Sequence, residues 1–318
     1  MFVVLLLAGC GDRPAPAGRT EPPVAAISAR EGFLEVPDGR VWYRVSGSGS
    51  ATPVILLHGG PGYSSFYLRL LDSLGIDRPT IRYDQLGGGK SSRVSDTTVM
   101  TIPHFVAELD SVRKALGANQ VYLLGHSWGT ILGYEYYRAH PEHVAGLVLA
   151  SAALDIPQWE RHARALVATL PDSMQRAIKR AEAKKDFAAA DYQAALGEFY
   201  GRYVWRTPVQ ADLDSTLQTM NEQIYGYMQG PSEFTITGTL KQYDATPHLS
   251  QIRVPTLYTI GEFDEADTAT VRRFTGLTPG ARMAVISGAA HLTTWDNPAE
   301  TFEVVRAFLK QADSATRK

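Results

Sequence analysis

Three side chains in this sequence have the types and the order to make a nucleophile of an alcohol. Ser127 stands inside Gly125-His126-Ser127-Trp128-Gly129, Asp264 follows the apolar run Thr256-Leu257-Tyr258-Thr259-Ile260, and His291 follows Ala284-Val285-Ile286. A serine hydroxyl is too weak an acid to attack at neutral pH unaided. It needs a base within hydrogen-bond reach, and the base needs an acid to hold its tautomer. Serine, then acid, then histidine is one of the chain orders in which this arrangement occurs. The base is nearly forced, because His291 alone of the eight histidines lies beyond Asp264. Glu262 and Glu265 compete with Asp264 for the acid, and Asp264 is the choice. His140, His143 and His162 flank helices and read as solvated or packing residues, whereas His58 and His126 sit beside glycines and could shape a site. The chemistry of such a set is acyl transfer. Its oxyanion needs main-chain N–H groups, expected from Trp128 and from Gly60 in His58-Gly59-Gly60-Pro61-Gly62.

These residues must be held by strands that end where they begin. Val121-Tyr122-Leu123-Leu124 reads as a buried strand, and Ile131 to Tyr137 as a helix, so Ser127 falls on a strand-to-helix turn. Pro53 to Leu57 is another near-continuous apolar strand, running straight into the glycines at His58 to Gly62. Gly32–Val36 and Val41–Val45 read as a hairpin around Pro37-Asp38-Gly39. Thr80–Tyr83 and Val144–Leu149 are further strands. Ile102–Leu116 reads as a helix between Thr101 as N-cap and Gly117 as stop. This alternation argues an α/β fold with a mostly parallel central sheet and helices on both faces. From about Ile156 to Tyr243 the alternation gives way to helical patterns, at Leu166–Leu170, Met174–Ala183, Phe187–Tyr200 and Leu213–Met228. An all-helical insert at that point would form a lid over the sheet's end. The expected division is an α/β core of residues 31–155 and 247–318, with residues 156–246 as the helical cap. Gly89-Lys90-Ser91 is not a phosphate loop, since the glycine that motif needs five residues earlier is Asp84.

The chain of 318 residues is 44% hydrophobic and 20% charged, enough apolar material for a sizeable core. A net charge of -2 gives no bulk attraction to nucleic acid or acidic lipid. No histidine or cysteine cluster has metal-ligand spacing, and no dinucleotide fingerprint follows the first strand, so no cofactor or metal is expected. The single cysteine, Cys10, ends the apolar run Phe2 to Gly9. That run is too short to span a bilayer but suits a signal-peptide core, although no Lys or Arg precedes it. Leu7-Ala8-Gly9-Cys10 resembles the lipobox of bacterial lipoproteins, which implies lipidation at Cys10. Residues 1–30 then read as a signal and a Pro-, Ala- and Gly-rich tether. The expectation is export and lipid anchoring towards the periplasm or cell exterior, with the anchor as the sole membrane contact; without a working signal the chain would stay in the cytoplasm.

Together the motifs resemble the proline iminopeptidase family of α/β-hydrolases. His58-Gly59-Gly60-Pro61-Gly62 is similar to its oxyanion segment, Asp84-Gln85-x-Gly-x-Gly-x-Ser91 to its second signature, and Gly125-x-Ser127-Trp128-Gly129 to its nucleophile turn. A narrower likeness is to the tricorn-interacting aminopeptidase branch. It rests on Gly261-Glu262-Phe263-Asp264-Glu265, on His291-Leu292-Thr293-x-Trp295 and on Glu233-Phe234-Thr235-Ile236-Thr237-Gly238-Thr239. The resemblance implies an α/β-hydrolase fold with a helical cap and a serine aminopeptidase that releases the first residue, proline preferred, from short peptides or amino-acid amides. It also implies that Glu233 and Glu265 hold the substrate's free α-amino group. The chain departs from the family at His126, where glycine is common, and at Thr130, and both departures would narrow the pocket. Two rival readings follow from the same residues: an esterase, lactonase or amino-acid amidase with the same triad, and a low-turnover ligand-binding protein on the same fold.

Overall fold

The computed structural model describes residues 26–208 and 211–316. Short apolar runs rich in Val, Ile and Leu form the middle of one eight-stranded sheet. Its strands are β1 (Arg30–Val36), β2 (Gly39–Ser46), β3 (Val54–Leu57), β4 (Thr80–Tyr83), β5 (Val121–His126), β6 (Val144–Ala150), β7 (Thr256–Gly261) and β8 (Arg282–Ile286). They lie in the order β1-β2-β4-β3-β5-β6-β7-β8. β1 and β2 form the expected antiparallel hairpin, with Asp38 at φ 68° in its turn, and β2 also runs antiparallel to β4. From β4 onward every pairing is parallel. Every residue of β3 and β5 is buried, so these central strands are covered on both faces. Because β3, β5, β6, β7 and β8 point the same way, the loops that follow them emerge along one edge of the sheet. Those loops carry Gly60, Ser127, Ser151, Asp264 and His291.

The helices are α1 (Ile102–Ala115), α2 (Trp128–Ala139), α3 (Ile156–Val167), α4 (Asp172–Lys184), α5 (Ala190–Tyr203), α6 (Ala211–Gln218), α7 (Glu222–Met228), α8 (Thr268–Leu277), α9 (Thr293–Asp296) and α10 (Pro298–Thr316). The Thr101 hydroxyl caps α1 by accepting from the His104 amide at 3.4 Å, and Gly117 follows the helix at φ +72°. α3 to α7 all lie between β6 and β7. Their bounds differ from the sequence reading where polar caps intervene. α3 starts ten residues before Leu166, because the Asp155 carboxylate accepts from the Gln158 amide at 2.9 Å and Pro157 occupies the first turn. The single helix expected over Leu213–Met228 is broken. The Asn221 side chain accepts from the amides of Gln223 and Ile224, both at 3.1 Å, and starts α7 afresh. A 3-10 stretch over Ser65–Ile76, unforeseen from sequence, buries Tyr67, Leu68, Leu71 and Leu74 against the sheet. Among the described residues no helix is long and apolar enough to cross a membrane.

Candidate active site

Ser127 sits at φ 55°, ψ -123°, a left-handed conformation that costs a non-glycine residue energy and persists only where its surroundings enforce it. The flanking glycines are part of that enforcement. A Cβ at Gly125 would meet the Gly129 carbonyl oxygen at 2.1 Å, and one at Gly129 would meet the Leu57 carbonyl oxygen at 2.1 Å. Strand and helix therefore approach more closely than side chains allow. The buried Thr130 hydroxyl donates to the Ser127 carbonyl at 2.6 Å and accepts from the Ala153 amide at 3.0 Å, which pins the turn from below. The Ser127 side chain is left facing a cavity whose wall it shares with His291, Gly60, Glu233, Tyr63 and Tyr200. Among the described residues the Ser127 hydroxyl makes no hydrogen bond, and in such sites the catalytic bonds tighten as substrate binds.

His291 is buried, and its Nδ1 lies 2.8 Å from Asp264 Oδ1. A carboxylate only accepts, so that nitrogen carries the proton and Nε2 is free to act as a base. Asp264 is itself tied down: Oδ1 also accepts from the Ala266 amide at 2.9 Å, and Oδ2 accepts from the Ser151 hydroxyl at 2.6 Å. Burial alone would raise its pKa. The charge of His291 and the hydrogen bonds from His291, Ser151 and Ala266 outweigh that and hold it below the usual carboxylate range. Glu262 is exposed, with its carboxylate on the Gly288 amide at 2.9 Å, and does not compete for the base.

The glycine loop after β3 resolves its own ambiguity. The Gly59 amide donates to the Tyr67 hydroxyl at 2.7 Å, and the Gly59 carbonyl lies 2.9 Å from His58 Nδ1. Both polar groups of Gly59 are used. Gly60, at φ +95°, borders the cavity with its amide uncommitted among the described residues. Trp128 is the first residue of α2, where the helical ladder supplies no acceptor for its N–H. Its indole is fixed by the Gln85 side chain at 2.8 Å, and Gln85 in turn bonds His58 through both its amides.

Two further carboxyls approach the same place. Glu233 Oε1 accepts from the Tyr225 hydroxyl at 2.7 Å and its Oε2 from Gln229 at 3.3 Å. Glu265 is fully buried, neither of its oxygens has a hydrogen bond, and Oε1 lies 3.8 Å from His291 Nε2. Burial raises both pKa values, Glu265 well above the ordinary range because Glu233 and Asp264 add like charge. A second cavity, lined by Ile131, Ala153, Ile156, Trp159 and Leu240, meets the first at Ser127, Gly60 and Glu233. Among the described residues no cluster of three His, Cys, Asp or Glu could hold a metal ion. Cys10 lies outside the described residues.

Sequence reasoning missed Ser151 and Tyr67. Ser151 directly follows β6, has φ 51°, and donates to Asp264 and, at 3.2 Å, to the His291 carbonyl. Its signal was a small polar residue at the end of the strand next to the one that ends at Ser127. Tyr67 gave none, because its helical stretch was not anticipated.

Comparison with known proteins supplies the context. Residues 52–298 match the family described as alpha/beta hydrolase fold. The chain is 40% identical over 282 residues to a proline iminopeptidase of Heyndrickxia coagulans, an alignment covering 88% of this chain and 98% of the relative. It superposes with a TM-score of 0.83 on the crystal structure of a proline iminopeptidase of Mycobacterium smegmatis, at 32% identity, covering 90% of this chain and all of the other. It superposes with a TM-score of 0.85 on the crystal structure of VinJ, at 34% identity and 92% coverage of this chain.

Proposed function

The chain belongs to the proline iminopeptidase family of α/β-hydrolases, and from that premise we infer that it is a serine aminopeptidase releasing the N-terminal residue, proline preferred, from short peptides. One observation carries the reading beyond a generic hydrolase. Glu265 is a buried carboxyl with both oxygens unbonded, 3.8 Å from the ring of His291, and His291 and Glu233 both line the cavity in front of Ser127. A buried carboxyl without a hydrogen bond is costly unless a ligand brings a cation to it, and a peptide's free amino end is one.

The proposed roles follow. Ser127 attacks the carbonyl carbon of the first residue while His291 Nε2 takes its proton. Asp264, held by Ser151, stabilises the imidazolium. The amides of Gly60 and Trp128 receive the oxyanion. The carbon–nitrogen bond breaks as His291 returns the proton to the leaving amine. Water then attacks the acyl-enzyme with His291 again as base, freeing the first residue and regenerating the serine hydroxyl. Glu233 and Glu265 bind the α-amino group, so chain length is measured from the amino end and one residue is removed. The insert of residues 156–246 is the cap. Its contribution of Trp159, Tyr200, Val204, Trp205, Leu213 and Glu233 to the two cavities supports that division from the core at 31–155 and 247–318. The segments around Glu233, Glu265 and His291 favour the tricorn-interacting branch. Lipidation at Cys10 and export follow from the Leu7-Ala8-Gly9-Cys10 run. Incorporation of labelled palmitate that is lost in Cys10→Ala tests the anchor.

The function is tested with two anilides of proline, one with a free amine and one acetylated at nitrogen. Cleavage of the free amine alone, abolished in Ser127→Ala, is the expected result. Equal cleavage of both would transfer the enzyme to the esterases and amidases. Cleavage of neither would sink the aminopeptidase reading.

A further inference from the structure

We propose that His126 is a positioning residue that ties the oxyanion loop to the loop of the catalytic base, through Tyr67 on one side and the His291 main chain on the other. The claim goes beyond the roles assigned above and uses the aminopeptidase reading only as its assay.

The direction of every hydrogen bond in this bridge is fixed by chemistry. His126 Nε2 lies 2.9 Å from the His291 carbonyl oxygen. A carbonyl only accepts, so Nε2 carries the proton, and because burial keeps this ring neutral, Nδ1 carries a lone pair. The Tyr67 hydroxyl, 2.8 Å from that Nδ1, must therefore donate to it. The same hydroxyl oxygen accepts from the Gly59 amide at 2.7 Å. With His126 neutral, the chain of donors runs from Gly59 to Tyr67 to His126, and from His126 to His291. All the side chains are buried, and the rings pack in series, Tyr67 on His126 at 5.3 Å and His126 on His291 at 4.5 Å between centroids.

The bridge joins what the reaction must keep in register. Gly59 precedes the amide proposed for the oxyanion, and the His291 carbonyl belongs to the residue that carries the base. Ser127 stands next to His126 in the chain, so the nucleophile turn is anchored in the middle. Burial, then the charge of His291, lowers the pKa of His126 to about 3. His126 thus stays neutral while His291 becomes an imidazolium, and does not oppose it with a second positive charge.

Kinetics on the free-amine proline anilide test this with Tyr67→Phe, His126→Ala, His126→Gln and the double variant Tyr67→Phe/His126→Ala. Loosening reacting groups by as little as an ångström costs about a hundredfold. The expected result is a fall in kcat of about ten- to a hundredfold in Tyr67→Phe and His126→Ala, with KM within about threefold of wild type. The double variant should lose no more than His126→Ala alone, because the bridge is already cut. Gln, whose amide can still donate to the His291 carbonyl, should recover part of the loss. Additive losses in the double variant, a loss confined to KM, or wild-type kcat in His126→Ala would each overturn the proposal. Thermal unfolding of each variant shows whether it is folded; should His126→Ala not fold, Tyr67→Phe and His126→Gln decide. If wild type cleaves no free-amine anilide, it is the aminopeptidase reading that fails, and the bridge is judged on ring nitrogen-15 resonances of the resting protein. A neutral His126 protonated at Nε2, with an Nδ1 resonance that moves in Tyr67→Phe, upholds it. A charged or Nδ1-protonated His126 overturns it.

Discussion

Glu265 faces Glu233 and Asp264 as like charges and is shut away from water, so the resting site favours a proton on it. A substrate ammonium reverses that balance by supplying the missing counter-charge. Glu265→Gln keeps the shape and removes the charge, and hydrogen bonds to charged groups are worth about 1.5–3 kcal/mol. The expected outcome is therefore a KM for proline anilide raised by about ten- to a hundredfold, with a smaller change in kcat. The sign of the pH effect follows. Raised carboxyl pKa values mean that ionised carboxylate increases as pH rises, so KM falls with rising pH until the substrate amine itself loses its proton. Steady-state KM measured across pH checks this, and a KM that rises through the same range would contradict it. Ser127→Ala should lower kcat by at least about a thousandfold while leaving binding of proline amide intact. At this scale the sequence was legible where a residue sits inside a local pattern. Ser127 lies between obligatory glycines, and His291 is the one histidine beyond Asp264. Ser151 and Tyr67 were not legible, since the partners that give them meaning are 113 and 59 residues away.

The helical insert is stitched to the base loop by main chain. The Tyr203 carbonyl accepts from the amides of both Glu265 and His291, at 3.2 and 3.1 Å, and the Val204 carbonyl accepts from Leu292 at 2.8 Å. Asp296 completes the seam. Its Oδ1 accepts from the amides of Arg206 and Thr207 at 2.9 and 2.7 Å, and its Oδ2 from Ala290 at 2.8 Å. One carboxylate thus holds the segment after α5, which lines the cavity at Val204 and Trp205, against the residue that precedes His291. Asp296→Ala removes both acceptor oxygens and with them all three hydrogen bonds, whereas Asp296→Asn keeps one oxygen. We expect the alanine variant to lose about 1–3 kcal/mol of stability and to raise KM, with asparagine between it and wild type. Chemical denaturation and steady-state kinetics on the three proteins check this order. Elements of strong periodicity were readable in the sequence, such as β3, β5 and α1. The break between α6 and α7 was not, because the capping Asn221 also gives its amide to the Gly62 carbonyl, a contact that only the folded chain supplies.

Across the whole molecule, the alternation of strands and helices announced a parallel sheet, but not its order. Strand neighbours are chosen by contacts far apart in the chain, and nothing local in β3 says that it lies between β4 and β5. Nor does the sequence reveal that α1 drives a carboxyl into the core. Glu108 is fully buried; its Oε2 accepts from the Leu86 amide at 2.9 Å, and its Oε1 has no hydrogen bond. Burial outweighs that amide and the nearby Tyr83 hydroxyl and pushes its pKa up to about 8. In the unfolded chain the same group releases its proton near the ordinary value of about 4.3. Between these two values the folded protein holds a proton that the unfolded chain does not, so stability falls as pH rises through the window and levels off above it. Glu108→Gln carries the neutral form permanently and deletes that slope. The variant should match wild type near pH 4.5 and exceed it at about pH 9 by on the order of a few kcal/mol, read from urea unfolding at a series of pH values. The slope belongs to Glu108 only if it disappears with the carboxyl. A variant that loses stability in parallel with wild type over the whole range would place the titrating group elsewhere. A variant weaker than wild type at every pH would mean that the Leu86 amide needs the carboxylate, and that the loop of Asp84 to Ser91 is built around a charge rather than in spite of one.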